Sequence, residues 1–514
     1  VKREEVFVRC IHPLNNYWKV TLLAAAAFVP RTAAAASCES LVSLAIPQSK
    51  ITSAQSVPAG EFAPPGNAAP IHNLPAFCRV AATLAPSADS DIKIEVWMPA
   101  SGWNGKFEGL GNGGWSGNIA YGALAGAVSR GYAAASTDTG HSGGSAEFAL
   151  GHPEKLIDFA ERSEHEMTVK SKAIIAAFYG NGPKLSYWNG CSSGGKQGLK
   201  EAQNYPEDYN GIIAGAPANN WVALLSSDMR NSVALLKDPA SDIPPAKLAL
   251  LHKAAVESCD AVDGLKDGLI DDPTRCHFDP AALLCRQPAE TESCLTAAQV
   301  AAAKDIYTPL TNPRTHKEIF PGLEPGSEPG WGAFAPKPFS ISNDYFRYVI
   351  HKDPHWDFRT FDADRDVALA EKLDKDHLLR AVDPDLKKFI SHGGKLILYH
   401  GWSDSLIAPL NSINYFQSVV SKMGGLEKTE ESVRLFMAPG MSHCAGGDGP
   451  NVFDMVSALE QWVEQNKAPQ RVVASHNVAG QVDRTRPWCP YPQVAKYKGA
   501  GSTDDAANFV CSPR

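Results

Sequence analysis

Short apolar runs recur along the chain, and most are apolar throughout rather than alternating. "IKIEVWMP" (92–99), "YAAASTD" (132–138), "LSYWNG" (185–190), "GIIAGAP" (211–217), "KLILYHG" (395–401) and "VRLFMAPG" (433–440) read as strands. Strands covered on both faces have that texture, because neither side meets water. "EHEMTVKSKAIIAAFYG" (164–180) and "DMVSALEQWVEQNK" (454–467) instead carry helical spacing. Strand followed by helix followed by strand predicts an α/β fold with a mostly parallel sheet. Between about Trp221 and Pro384 the pattern breaks. The chain there is rich in Pro, Asp and Cys and holds the aromatic stretch "WGAFAPKPFSISNDYFRYVIHKDPHWDF". This segment reads as an inserted lid. The organisation expected is a leader at 1–36, a first core part at 37–221, a lid at 222–388, and a second core part with an irregular tail at 389–514. No internal repeat is visible.

The leader follows from order rather than from composition. Lys2, Arg3, Arg9 and Lys19 precede the apolar run "VTLLAAAAFV" (20–29), and Ala34 and Ala36 suit a small-residue cleavage site. That is the layout of a secretory signal, and the run is too short to span a bilayer. The expected location is therefore secreted or periplasmic. Export changes the meaning of the cysteines. Eleven occur, and removing Cys10 with the leader leaves an even number in an oxidising compartment, where disulfides are the default. Cys259 with Cys276, Cys285 with Cys294, and Cys489 with Cys511 are spaced for local pairs, and Cys38 could meet Cys78. Cys191 and Cys444 remain. The net charge of -8 and the lack of a basic stripe interleaved with aromatics argue against nucleic acid as a partner. A length of 514 residues exceeds one simple core.

"WNGCSSGG" (188–195) places three candidate nucleophiles side by side: Cys191, Ser192 and Ser193. Gly190 to Gly194 fits G-x-S-x-G, the sharp strand-to-helix turn whose glycines are required by the close approach of strand and helix. Register selects Ser192, which alone is centred between the glycines. Ser193 then follows the nucleophile, where its backbone N–H can hold an oxyanion. A serine hydroxyl needs a base, and the base needs an orienting acid, in the chain order Ser, Asp, His. Asp404 in "LILYHGWSDSLIAP" and His443 in "LFMAPGMSHCAGG" lie just after buried strands, where catalytic loops belong. His400 suits packing at a strand end, and His141 suits a supporting position. A Cys191–Cys444 bridge would hold base beside nucleophile, since bridged Cα atoms lie ~4.4–6.8 Å apart; two unrelated thiols are the alternative. The Gly-rich "KFEGLGNGGWSGN" (106–118) can supply a second oxyanion donor.

A separate acidic loop, "CDAVDGLKDGLIDD", carries Asp260, Asp263 and Asp267. Closely spaced carboxylates with turn glycines suit a hard, oxygen-liganded cation such as Ca2+, although the spacing is not that of an EF-hand. A solvated acidic turn is the alternative.

Four stretches together resemble the tannase/feruloyl esterase family of α/β-hydrolases: "GCSSGGKQGLKEAQNYPEDYNGIIAGAPANNW", "GWSDSLIAP", "PGMSHCAGG" and "RTRPWCPYPQVAKYKGAGSTDDAANFVC". The resemblance implies Ser192 as nucleophile, His443 as base and Asp404 as third member, with Cys191–Cys444 beside them. It implies oxyanion donors at the N–H groups of Gly114 and Ser193. It implies a structural calcium held by Asp260, Asp263 and Asp267 with the carbonyls of Leu265 and Leu269. The other bridges it implies are Cys38–Cys78, Cys259–Cys276, Cys285–Cys294 and Cys489–Cys511. Members differ in the lid. Here Trp331, Phe334, Phe339, Tyr345, Phe346 and Tyr348 are candidates to stack on a planar aryl acid, with lid packing as the alternative for each. Arg347 is a loose candidate for the arginine that holds a free carboxylate in the terephthalate-ester branch. The expected enzyme is a serine carboxylic ester hydrolase for hydroxycinnamate esters. Gallate or mono(2-hydroxyethyl) terephthalate esters are the runners-up, and an inactive secreted binding module is the reading outside enzymes.

Overall fold

The computed structural model describes residues 36–66, 69–286 and 292–513, so the leader expected at 1–36, Ala36 apart, lies outside the described residues. A nine-stranded sheet organises the fold. In chain order its strands are β1 (Ser49–Val57), β2 (Phe77–Leu84), β3 (Ile92–Pro99), β4 (Lys106–Leu110) and β5 (Ala133–Thr137), then β6 (Leu185–Cys191), β7 (Gly211–Gly215), β8 (Lys395–Gly401) and β9 (Val433–Ala438). Their spatial order is β1-β2-β3-β5-β4-β6-β7-β8-β9. The pairs β1/β2, β2/β3 and β3/β5 are antiparallel, and the remaining five pairs are parallel.

The six runs expected from their apolar texture are all strands of this sheet, and β5, β7 and β9 are buried at every position. β1, β2 and β4 are not among those six runs. β2 alternates between buried and half-buried residues, and β1 is mostly open to solvent at the sheet edge. An edge strand covered on one face lacks the unbroken apolar run that marks its central neighbours.

Two apolar cores flank the sheet. One packs helix α1 (Ser163–Tyr179) on Ile94, Val96, Trp188 and Leu199; the other packs helix α2 (Met455–Gln465) on Tyr187, Ile397 and Phe436. A third core lies over the C-terminal ends of the parallel strands. It gathers helices α3 (Trp221–Leu236) and α4 (Pro245–Cys259) with the aromatic stretch of the lid. Trp115, Ala146 and Phe159, from segments before the lid, belong to the same cluster. The lid therefore shares its core with the sheet domain rather than closing on its own. Among the described residues no helix is long and apolar enough to cross a membrane.

Candidate active site

β6 ends in a turn that enters helix α5 (Ser193–Asn204), with Ser192 at its vertex. Ser192 holds φ 64° and ψ -123°, a left-handed conformation that costs of order 1–3 kcal/mol outside glycine. Its backbone stabilises the turn: its N–H donates to the Gly215 carbonyl at 2.9 Å, and its own carbonyl accepts from Ala218 N–H at 3.1 Å. Glycine at 190 is a steric necessity, because a Cβ there would lie 2.4 Å from the Gly194 carbonyl oxygen. The turn thus lifts Ser192 out at the end of the strand.

Ser193 opens the helix, so its N–H is one of those with no intrahelical acceptor. Its hydroxyl donates to the Gly114 carbonyl at 3.0 Å, which ties the helix start to the Gly-rich loop after β4. Gly114 itself holds φ 52°. Trp115 next to it donates Nε1–H to the Ile341 carbonyl at 2.9 Å, linking the loop to the lid. His141 supports the loop as expected: Nε2 lies 2.7 Å from the Trp115 carbonyl, and the ring stacks on Phe148 at 3.8 Å.

Asp404 and His443 converge from separate loops. His443 Nδ1 lies 2.7 Å from Asp404 Oδ2. A carboxylate can only accept, so Nδ1 carries the proton and Nε2 is left as the acceptor. Asp404 is fully buried, and its other oxygen accepts from Leu406 N–H at 2.8 Å and Ile407 N–H at 3.0 Å. His400 adds a contact that sequence spacing assigned only to packing: its Nε2 lies 3.0 Å from Asp404 Oδ2 and 3.0 Å from the Ile407 carbonyl. The Ile407 carbonyl can only accept, so Nε2 is the protonated nitrogen, and Nδ1 accepts from Ser412 Oγ at 2.7 Å. Burial opposes charge on Asp404. The two histidines outweigh it and hold the carboxyl far below the usual carboxylate range. Burial also works against an imidazolium at His443, yet the Asp404 charge and hydrogen bond raise its pKa above the ordinary histidine value. A proton accepted at His443 is therefore stabilised where it arrives.

Cys191 and Cys444 are bridged, with Cα atoms 6.0 Å apart. A thiol at 191 is therefore not a free nucleophile. The other four bridges are Cys38–Cys78, Cys259–Cys276, Cys285–Cys294 and Cys489–Cys511, the pairs expected.

Ser192, Ser193, Gly114 and His443 open on one small cavity of ≈ 30 Å³. Its remaining walls are Ala218, Trp221, Leu224, Leu225 and Asp228, then Phe339, Ile341, Leu406 and Ile407. Of the six lid aromatics considered for stacking, only Phe339 lines it. Trp331, Phe334, Tyr345, Phe346 and Tyr348 are buried in the lid core instead, where Phe346 packs on Trp356 and Phe361. Large rings bury the most apolar area, and these hold the lid's helices and turns on the core shared with the sheet domain. Arg347 is not a wall either: its guanidinium donates to the Pro354 carbonyl and lies over the Tyr348 ring.

The acidic loop folds back on itself. Asp260 Oδ1 accepts from Asp267 N–H at 2.9 Å and Gly268 N–H at 3.0 Å, and Asp263 Oδ1 accepts from Leu265 N–H at 2.9 Å. Asp267 Oδ2 is held by Arg486 Nη2 at 2.5 Å. The hard oxygen donors suit calcium in kind, with one oxygen of Asp267 shared with an arginine. Among the described residues, the trio of acid and imidazole groups whose ligand atoms lie within 4.8 Å of one another is a different one, His165, Glu201 and Asp208. It was not expected, since His165 comes from a different helix than Glu201 and no spacing motif joins the three.

The family model described as "Tannase and feruloyl esterase" matches residues 78–512. The chain belongs to this family. Relatives span its full length: an uncharacterized esterase of Xanthomonas campestris pv. campestris is 38% identical over 96% of this chain and 94% of the relative. A probable feruloyl esterase B-2 of Aspergillus terreus is 34% identical over 97% and 99%. The crystal structure of feruloyl esterase B from Aspergillus oryzae superposes with a TM-score of 0.88 at 31% identity, covering 92% of this chain and 99% of that one. The fold is thus that of an α/β-hydrolase, and this tannase/feruloyl esterase family member is a carboxylic ester hydrolase.

Proposed function

We propose that this family member is an exported serine esterase for hydroxycinnamate esters, with Ser192, His443 and Asp404 as its catalytic triad. The observation that carries the reading is the joint placement of Ser192 and His443 on one cavity, with Asp404 hydrogen-bonded behind His443. Ser192 Oγ attacks the ester carbonyl and His443 Nε2 accepts its proton. The N–H groups of Gly114 and Ser193 hold the oxyanion, His443 returns the proton to the leaving alcohol, and water then releases the acid by the same route. His443 Nδ1–H stays directed at Asp404 throughout, which fixes the tautomer. Five disulfides support residence in an oxidising compartment.

The acyl preference rests on the relatives named feruloyl esterase B and on the cavity walls. Those walls are mainly apolar and hold no Arg or Lys among the described residues, so nothing there neutralises the free carboxylate of a terephthalate monoester. Comparison of kcat/KM across methyl ferulate, chlorogenate, methyl gallate and mono(2-hydroxyethyl) terephthalate tests this directly. The hydroxycinnamates are expected to lead by at least about tenfold, a difference near 1.4 kcal/mol in transition-state binding. A lead for gallate or the terephthalate ester overturns the substrate class while leaving the esterase chemistry in place.

The loop at Asp260, Asp263 and Asp267, with the carbonyls of Leu265 and Leu269, is proposed to hold calcium as a structural ion. Bound there, the ion would neutralise the clustered acids of the loop. Saturating calcium is expected to raise the melting temperature of EDTA-treated protein by several degrees, and magnesium to do so less. An identical melting curve with and without calcium removes the ion from the reading.

A further inference from the structure

Helix α3 turns one face toward the cavity. Trp221, Leu224, Leu225 and Asp228 follow one another at i, i+3, i+4 and i+7, and all four are walls of the space shared with Ser192 and His443. The first three are what an apolar acyl pocket needs. The fourth is a carboxyl group, only 2% exposed, in the same stripe. Among the described residues, no hydrogen bond or ion pair reaches it. Its neighbours on the helix are otherwise engaged: Arg230 donates to Asn231 and to the Thr308 carbonyl, and Ser232 Oγ accepts from Phe339 N–H at 3.0 Å.

A buried polar group without a partner costs about 1–3 kcal/mol, so such groups are rare in folded proteins. Arg230 acts on Asp228 only through its charge, without a hydrogen bond or ion pair between them among the described residues. Its position on the cavity wall makes the cavity the side from which water, or a polar group of the substrate displacing it, can reach the carboxyl. We propose that Asp228 is the polar recognition residue of the acyl pocket, hydrogen-bonding a hydroxyl on the aromatic ring of the bound acyl group. The inference deepens the reading of this cavity as the acyl site of a hydroxycinnamate esterase, and it rests on that reading.

The electrostatics agree with the geometry. Burial pushes the Asp228 carboxyl well above the usual carboxylate range, the nearby charge of Asp404 adds to the effect, and the Arg230 charge opposes it without cancelling it. A protonated carboxyl can donate to a ring hydroxyl and accept from it, and it carries no charge into an apolar pocket. Phe339 and Ile341 form the lid side of the cavity, opposite α3, so an aryl group bound there is placed between them and the α3 leucines. The ring then lies along Leu224 and Leu225, with its substituents toward Asp228.

The test uses the full-length purified enzyme and two esters that differ by one hydroxyl, methyl 4-hydroxycinnamate and methyl cinnamate. Wild type is expected to favour the hydroxylated ester in kcat/KM by at least about tenfold, because a site built to bond a hydroxyl discriminates strongly against the analogue lacking it. In Asp228→Leu that ratio is expected to fall toward one, with the loss on the hydroxylated ester. Asp228→Asn, which keeps a donor and an acceptor, is expected to retain a ratio between the two. Melting separates recognition from a structural role: removing an unpaired buried carboxyl should leave Asp228→Leu at least as heat-stable as wild type. An unaltered ratio in Asp228→Leu, or a lower melting temperature with both esters equally impaired, overturns the proposal. If wild type instead prefers benzoate-type acyl groups, the hydroxycinnamate reading fails separately. The same ratio for methyl 4-hydroxybenzoate against methyl benzoate then decides the role of Asp228.

Discussion

Ser192→Ala is expected to lower kcat for ester hydrolysis by at least about 10⁴-fold, since removal of a triad nucleophile leaves only binding and oxyanion stabilisation. Ester hydrolysis by wild type and variant purified in parallel and compared at equal protein concentration measures it. The fold should survive the change. The turn is held by backbone contacts of residue 192 to Gly215 and Ala218, and alanine keeps both. The left-handed backbone at 192 is carried equally by serine and alanine, so circular dichroism and melting should match wild type. Labelling by an organophosphate should disappear in parallel with activity. Retained turnover in Ser192→Ala would remove this serine from the mechanism, and failure of the wild type to label would favour a binding protein on an inactive scaffold.

Replacing Cys191 and Cys444 together by alanine is the second large effect. β6 and β9 are three strands apart in the sheet, so their ends are separated by about 14 Å at ordinary strand spacing. The loop carrying His443 must reach back across β8 and β7 to meet Ser192, and the bridge pins that reach at a Cα separation of 6.0 Å. The bridge closes a span of 253 residues. Chain-entropy reasoning puts the stabilisation from so long a loop near 5 kcal/mol, with measured bridges more often at about 2–4. The double variant is expected to melt several degrees lower. It is also expected to lose about 10²-fold in kcat, because a shift of ~1 Å at the base is enough for that. A single substitution would leave a reactive thiol beside Ser192, so the pair is changed together. Unchanged kcat with lowered melting would assign the bridge to stability alone, and no change in either would deny it both roles.

The two readings share a feature of the chain. The residues that meet at the centre were legible because each sits beside a local signal. Ser192 is centred between glycines whose steric need is local, and Asp404 and His443 each follow a run of buried β-residues. Cys191 and Cys444 flank two of them, so one covalent constraint joins two local signals. The strands that hold them were legible for the same reason: β5 to β9 are buried on both faces and show it in their composition. β1, β2 and β4 were missed because β1 is a wet edge strand, β2 has one half-exposed face, and β4 carries Lys106, Glu108 and Gly109 within five residues.

His400 and the lid are different. His400 is at the end of a strand, and nothing in "LYHGWSD" tells whether its ring turns into the core or toward Asp404. The structure shows one side chain serving both, bonded to Ser412 on one nitrogen and to Asp404 and Ile407 on the other. In the lid, ring-rich composition suggested an aromatic acyl pocket. Five of those six rings proved to belong to the core that the lid shares with the sheet domain, and the cavity took four of its walls from α3, where Trp221, two leucines and one aspartate face inward.

From the order of residues alone came the α/β class, the glycine-flanked turn at Ser192, the loops of Asp404 and His443 and the three locally spaced cysteine pairs, because strand burial, glycine sterics and short loop closure all act over short stretches of chain; the full set of bridges came with the family resemblance. Tertiary structure alone decided which side of α3 faces Ser192, which lid ring reaches the cavity, and that Asp228 stands there with no hydrogen bond or ion pair among the described residues. Those outcomes depend on how segments more than a hundred residues apart pack against one another, and the same leucine, ring or carboxylate fits a core, a surface or a binding site equally well until that packing is set.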